Sequence, residues 1–68
     1  MKNSIKVERA KKNITQAQLA EMASVSRQTI NAIELGKYNP STTLALKMAH
    51  IFEISVNDLF RLEDGDWQ

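Results

Sequence analysis

The segment Gln16-Ala17-Gln18-Leu19-Ala20-Glu21-Met22-Ala23-Ser24-Val25-Ser26-Arg27-Gln28-Thr29-Ile30-Asn31-Ala32-Ile33-Glu34 reads as two short helices set at an angle by a tight turn. Thr15, just ahead of it, and Gln18 make a Thr-x-x-Gln capping box, in which each residue satisfies a backbone N–H of the other. Leu19, Ala20, Met22 and Ala23 supply the apolar content of the first helix, which is expected to end at Ser24. Ser26 caps the second helix, Ile30 and Ile33 lie on one of its faces, and Gly36 suits the left-handed position just past its end. Ala20 stands where the helices cross closely, and Val25 plugs the turn. Those demands fix the interhelical angle.

Working outward, a first helix is expected from about Ser4 to Lys12, stopped by Asn13, and its apolar pattern is thin. Lys37-Tyr38-Asn39-Pro40 is a loop, because proline biases the residue before it away from helical geometry. Ser41 then caps a fourth helix. There Ala45, Met48, Ala49 and Phe52 recur at helical spacing, while Leu44, Leu46 and Ile51 widen the apolar band beyond one stripe. Ser55-x-x-Asp58 reads as a second capping box, with Val56, Leu59 and Phe60 as the inward face of a fifth helix. No segment has the pattern of a strand. Glu63 to Gln68 reads as a frayed tail in which only Trp67 is out of character.

With 68 residues there is room for one small core, so a single domain over 1–68 is expected, its body 4–61 and its tail 62–68. The absence of cysteine excludes disulfides and thiolate metal sites, and the lone His50 cannot build a metal cluster or a nucleophile-base pair. No catalytic residue, metal site or cofactor is therefore expected. There is no long apolar run and no leader-like N-terminus, and a cytoplasmic protein is expected. The net charge of +1 conceals an asymmetry: residues 1–47 carry eight basic residues against three acidic ones, whereas Arg61 alone faces five acids from Met48 onward. A basic face for a polyanion is one reading of that split, and an uneven solvated surface is the other.

The segment 16–34 together with Gly36-Lys37-Tyr38-Asn39-Pro40-Ser41 resembles the XRE or Cro/CI family of helix-turn-helix regulators, and in particular its minimal stand-alone branch. The resemblance covers about residues 4–61. It implies an all-α, five-helix, lambda-repressor-like fold, to which short terminal strands can be added, and a DNA-binding transcriptional regulator, most often a repressor. Such regulators commonly bind a palindromic operator in double-stranded DNA as homodimers. Carried over position by position, it assigns base reading to Arg27, Gln28 and Asn31, with Thr29 able to offer its methyl to thymine or to face the core edge. Gln16, Ser26, Lys37, Tyr38 and Asn39 become contacts to the DNA backbone, although Tyr38 reads equally well as packing on the loop. Arg9 and Glu34 match a scaffold ion pair. Leu44, Leu46, Ile51 and Trp67 are the expected dimer interface, with packing of Leu44, Leu46 and Ile51 inside the chain, under the fifth helix and the N-terminal segment, as the alternative.

Three positions depart from the family pattern. Ser24 replaces a usual glycine where the turn favours positive φ, Glu8 replaces a frequent leucine, and Ala32 replaces a base-reading glutamine of some phage repressors. A DNA-binding antitoxin that captures a protein toxin remains the alternative function. An enzyme is disfavoured by the lack of any acid-base or nucleophile constellation. No small-molecule ligand or membrane contact is expected.

Overall fold

The structure, a computed structural model, describes residues 1–68. Five helices run in order: α1 Ile5–Lys12, α2 Gln16–Ala23, α3 Arg27–Glu34, α4 Thr42–Phe52 and α5 Val56–Leu59. Two short strands, β1 Lys2–Asn3 and β2 Phe60–Arg61, pair antiparallel with Lys2 opposite Arg61 and Asn3 opposite Phe60. These terminal strands escape the pattern reading, because two residues are too few to show alternation. No helix is long and apolar enough to cross a membrane.

Local chemistry sets each helix start. The hydroxyls of Thr15, Ser26, Ser41 and Ser55 accept the backbone N–H of the residue three further on, at 3.0–3.1 Å. At Thr15 the box closes, since its N–H donates to Gln18 Oε1 at 2.8 Å. The second expected box is only half formed: Ser55 caps Asp58, but no bond returns from the shorter Asp58 side chain. Ser4 makes no side-chain cap, and its N–H goes to the Leu59 carbonyl at 2.9 Å.

The ends of the first four helices share one device. Asn13, Ser24, Gly36 and Glu53 all have φ between 55° and 75°. After each, the next N–H reaches five residues back, as Ile14 to Arg9, Val25 to Ala20, Lys37 to Ala32 and Ile54 to Ala49. This is the Schellman arrangement, which satisfies helical carbonyls that would otherwise be left without donors. Ile14, Val25 and Ile54 then pack against the core, whereas Lys37 is exposed.

Twelve buried apolar residues form the core, with Ile5, Leu19, Ile30, Ile33, Met48 and Leu59 the largest that are fully enclosed. Fully burying an aliphatic side chain of this size is worth about 1.5–3 kcal/mol, so residues from α1 to α5 jointly hold helices too short to persist alone. α1 contributes only Ile5; Val7 is exposed, and Glu8 pairs with Lys11 at 3.1 Å. Leu44 corrects the expected interface: it is buried inside the chain, because α4 is covered from more than one side. Ile51 is half-buried against the same core, while Leu46 and Trp67 stay exposed.

The tail is also more ordered than its composition suggests. Asp64–Trp67 forms a 3₁₀ turn, and the Met1 ammonium lies 3.1 Å from both Glu63 and Asp66. Hydrogen bonds donated by the ammonium to the carboxylates of Glu63 and Asp66 raise its pKa above the ordinary value. The Glu63 backbone N–H, followed by the ammonium, lowers that of the Asp66 carboxyl.

Ser24 and Glu53 are the non-glycine, non-asparagine residues held left-handed, and neither uses its side chain in a cap. Ser24→Gly is expected to stabilise the fold by on the order of 1 kcal/mol, relief of Cβ strain exceeding the added unfolded-state entropy. Glu53→Gly should gain a similar amount. Asn13→Gly should gain less, since asparagine already tolerates this conformation. Equilibrium urea denaturation of the three variants checks the ranking.

Candidate nucleic-acid interface

α3 is amphipathic in a way its sequence dictates: Ile30 and Ile33 enter the core, while Arg27, Gln28 and Asn31 are exposed. Arg27 and Gln28 make no side-chain hydrogen bond within the chain, so their full donor and acceptor sets face outward. Thr29 is different. It is half-buried, and its hydroxyl lies 2.9 Å from that of Ser26, which also caps the Thr29 N–H. Its methyl is the group left for an apolar contact, and the Ser26 hydroxyl is committed to the helix start.

Gln16 links the two helices. Its Nε2 donates to Asn31 Oδ1 at 3.1 Å and to Glu34 Oε1 at 3.3 Å. Asn31 keeps its amide N–H donors and a second lone pair, and the bond to Gln16 restricts how its amide can turn. The side chain of Gln16 is therefore engaged with α3, a partnership fifteen residues apart in sequence that no local pattern announces. At the start of α2 the backbone N–H groups of Gln16 and Ala17 have no partner, because an α-helix leaves its first donors free and Thr15 takes only that of Gln18.

Beneath this face lies an ion pair. Arg9 Nε donates to Glu34 Oε2 at 2.7 Å, its second amino group donates to Oε1 at 3.1 Å, and the remaining one reaches the Ile14 carbonyl at 3.2 Å. Both side chains are largely shielded from solvent. Hydrogen bonding to Glu34 raises the Arg9 pKa more than burial lowers it. The pair neutralises the one acid on α3, so Arg27 presents its charge uncancelled along that helix. Asn3 adds a brace missed in the sequence: its Nδ2 donates to the Ile33 carbonyl at 2.9 Å and its Oδ1 accepts from the Ile5 N–H. Lys37, Tyr38 and Asn39 follow α3 as an exposed loop.

A tightly coupled α2–α3 pair with an exposed polar face on α3, braced by α1 and α4, defines a helix-turn-helix protein. The helix-turn-helix family profile HTH_3 matches residues 5–59, and the chain belongs to that family. It is 52% identical over 66 residues to an uncharacterized HTH-type transcriptional regulator of Methanocaldococcus jannaschii, covering 97% of this chain and all of that protein. An uncharacterized HTH-type transcriptional regulator of Archaeoglobus fulgidus is 44% identical over 69 residues, covering all of this chain and 97% of that protein. YgzD of Bacillus subtilis, bearing the same description, is 45% identical over 64 residues, covering 94% of this chain and 97% of that protein.

Glu34→Gln keeps the shape of the α1–α3 brace and removes its charge. It is expected to cost about 2–3 kcal/mol, because it leaves a shielded guanidinium without a counter-ion. Thermal and urea denaturation measure that loss; a change within experimental error would mean that Arg9 finds solvent on its own.

Proposed function

We propose that this chain is a sequence-specific DNA-binding transcriptional regulator, acting most simply as a repressor that blocks its operator. The observation that carries the reading is the exposed row Arg27, Gln28 and Asn31 on a helix whose opposite side is locked into the core. Arginine can span guanine O6 and N7, and glutamine or asparagine can pair with adenine N6 and N7. On this reading α3 lies in the major groove. The free N–H groups at the start of α2, with Lys37, Asn39 and Tyr38, hold the flanking phosphates. Family membership and the relatives' descriptions as transcriptional regulators support the same class.

The reading extends to a homodimer and to one domain spanning 1–68. An open apolar groove of about 570 Å³ is lined by Pro40, Ala45, Leu46, Val56, Phe60 and Leu62. Leu46 and Leu62 are more than half exposed there, while Trp67, 76% exposed, does not line it. A second copy of the chain would cover that surface. Two-fold symmetry then calls for two inverted half-sites, with the recognition helices about 34 Å apart.

Selection of bound duplexes from a random pool tests the whole reading, and failure to enrich any sequence would overturn it. On the selected operator, Arg27→Ala should cost about 1–3 kcal/mol and relax one base position, while Lys37→Ala should weaken all sequences alike and flatten the salt dependence by about one unit. Sedimentation at micromolar concentration tests the dimer: wild type should have twice the chain mass and Leu46→Glu the mass of one chain.

A further inference from the structure

The strand register sets two cations side by side. Lys2 is directly opposite Arg61 in the β1–β2 ladder, which puts their Cβ atoms about 5 Å apart, and like charges in that relation are destabilising. Their neighbours Asn3 and Phe60 turn inward, so both charged side chains project to the solvent face. Neither belongs to any of the five ion pairs in the chain. Arg61 is also the only lysine or arginine after Lys47, and the pairing carries it out of the acidic C-terminal segment to the basic N-terminal one.

The pair opens onto a shallow cleft of about 370 Å³ that runs to Leu35 and Gly36, at the C-terminal end of α3 and immediately before Lys37. Two acids also line it. Glu34 is already spent on Arg9, and Glu63 on the Met1 ammonium. Because the one ammonium is shared by Glu63 and Asp66, the groups around the cleft sum to about +1, with Lys2 and Arg61 the cations that have no carboxylate partner, and an anion held between them would remove their mutual repulsion.

We propose that Lys2 and Arg61 form a clamp for one DNA phosphate flanking the C-terminal end of α3. The inference rests on the DNA-binding reading and adds to it a contact made by the terminal strands. In chemical terms this is a point-charge ammonium and a forked guanidinium on a single phosphodiester.

The test is binding of a mixed-sequence duplex of about 30 base pairs, roughly three helical turns, followed by fluorescence anisotropy across a potassium chloride series. The K2Q/R61Q double variant should bind every sequence more weakly, with the slope of log K against log salt flatter by about one unit, while K2R keeps the wild-type slope. Its Tm should equal or exceed that of wild type, because a repulsion has been removed. A wild-type slope in K2Q/R61Q, with the wild type binding normally, would overturn the clamp and leave the DNA-binding reading standing. A lower Tm with an unchanged slope would make the pair structural and also overturn it. If the wild type binds no duplex at low salt, the clamp falls together with the broader reading.

Discussion

Between α2 and α3 the chain reverses in three residues, Ser24, Val25 and Ser26, and two backbone bonds hold the reversal: Ser24 N–H to Glu21 at 3.2 Å and Val25 N–H to Ala20 at 3.0 Å. The second needs a left-handed residue at position 24, which Ser24 supplies at φ 59°. The turn delivers Val25 to the core and starts α3 with its cap, Ser26, already in extended conformation. From there the helical period leaves no freedom. Once Ile30 and Ile33 are buried, Gln28 and Asn31 face outward, and Arg27, at the first helical position on the edge of the buried face, is exposed beside them. The Arg9–Glu34 pair and the Asn3 bond to Ile33 act later in this hierarchy, fixing the C-terminal part of a helix whose direction the turn has set.

The same ending recurs along the chain because the helices are short. Eight-residue helices are not stable in isolation, so each must be anchored at its ends as well as along its buried stripe. A left-handed residue followed by an apolar plug does both, as Asn13 with Ile14, Ser24 with Val25 and Glu53 with Ile54. After α3 the plug is missing. Gly36 makes the turn, but the residue that follows is Lys37, exposed where its counterparts are packed. An apolar contact has been given up at the position proposed to meet a phosphate, and glycine, the residue with least strain in this conformation, stands at the turn that lacks the plug.

Much of this was legible in advance, for reasons that can be named. The caps at Thr15, Ser26, Ser41 and Ser55 are local chemistry between residues three apart, and the αL ends at Asn13, Ser24 and Gly36 fall where periodicity breaks. Glu53 gave no such signal, since glutamate has no bias toward left-handed backbone, although Ile54 after it fits the plug rule. The strands were hidden from periodicity by their length, although the family resemblance allowed for short terminal strands, and the ordered tail was hidden by its polarity. Leu44 was misassigned because a broad apolar band on α4 shows that several faces are covered, but not whether the cover comes from the same chain. The Gln16 bond to Asn31 was out of reach for a related reason: it is decided by the angle between two helices, a tertiary quantity.

The proposed DNA face and the proposed dimer groove meet in one loop. Lys37 lies three residues past the end of α3 and Pro40 lines the groove, three residues later again, so the chain between them can span no more than about 10 Å. Proline fixes its own φ and restricts Asn39 before it, and Ser41 caps α4 directly after it. A loop this short and this constrained couples the two surfaces mechanically. A shift of one protomer on its partner at Pro40 would, on the homodimer reading, move Lys37, and with it the register of α3, because little slack remains to absorb it. On the homodimer reading, the separation of the two half-sites is thus set by the groove and transmitted through four residues, Lys37-Tyr38-Asn39-Pro40. The strands β1 and β2 border the same region from the other side: Phe60 and Arg61 line the groove, and Arg61 and Lys2 line the cleft that reaches Gly36. Dimer geometry and DNA register would then be held by two short connections near the end of α3, so that subunit contact and operator spacing change together.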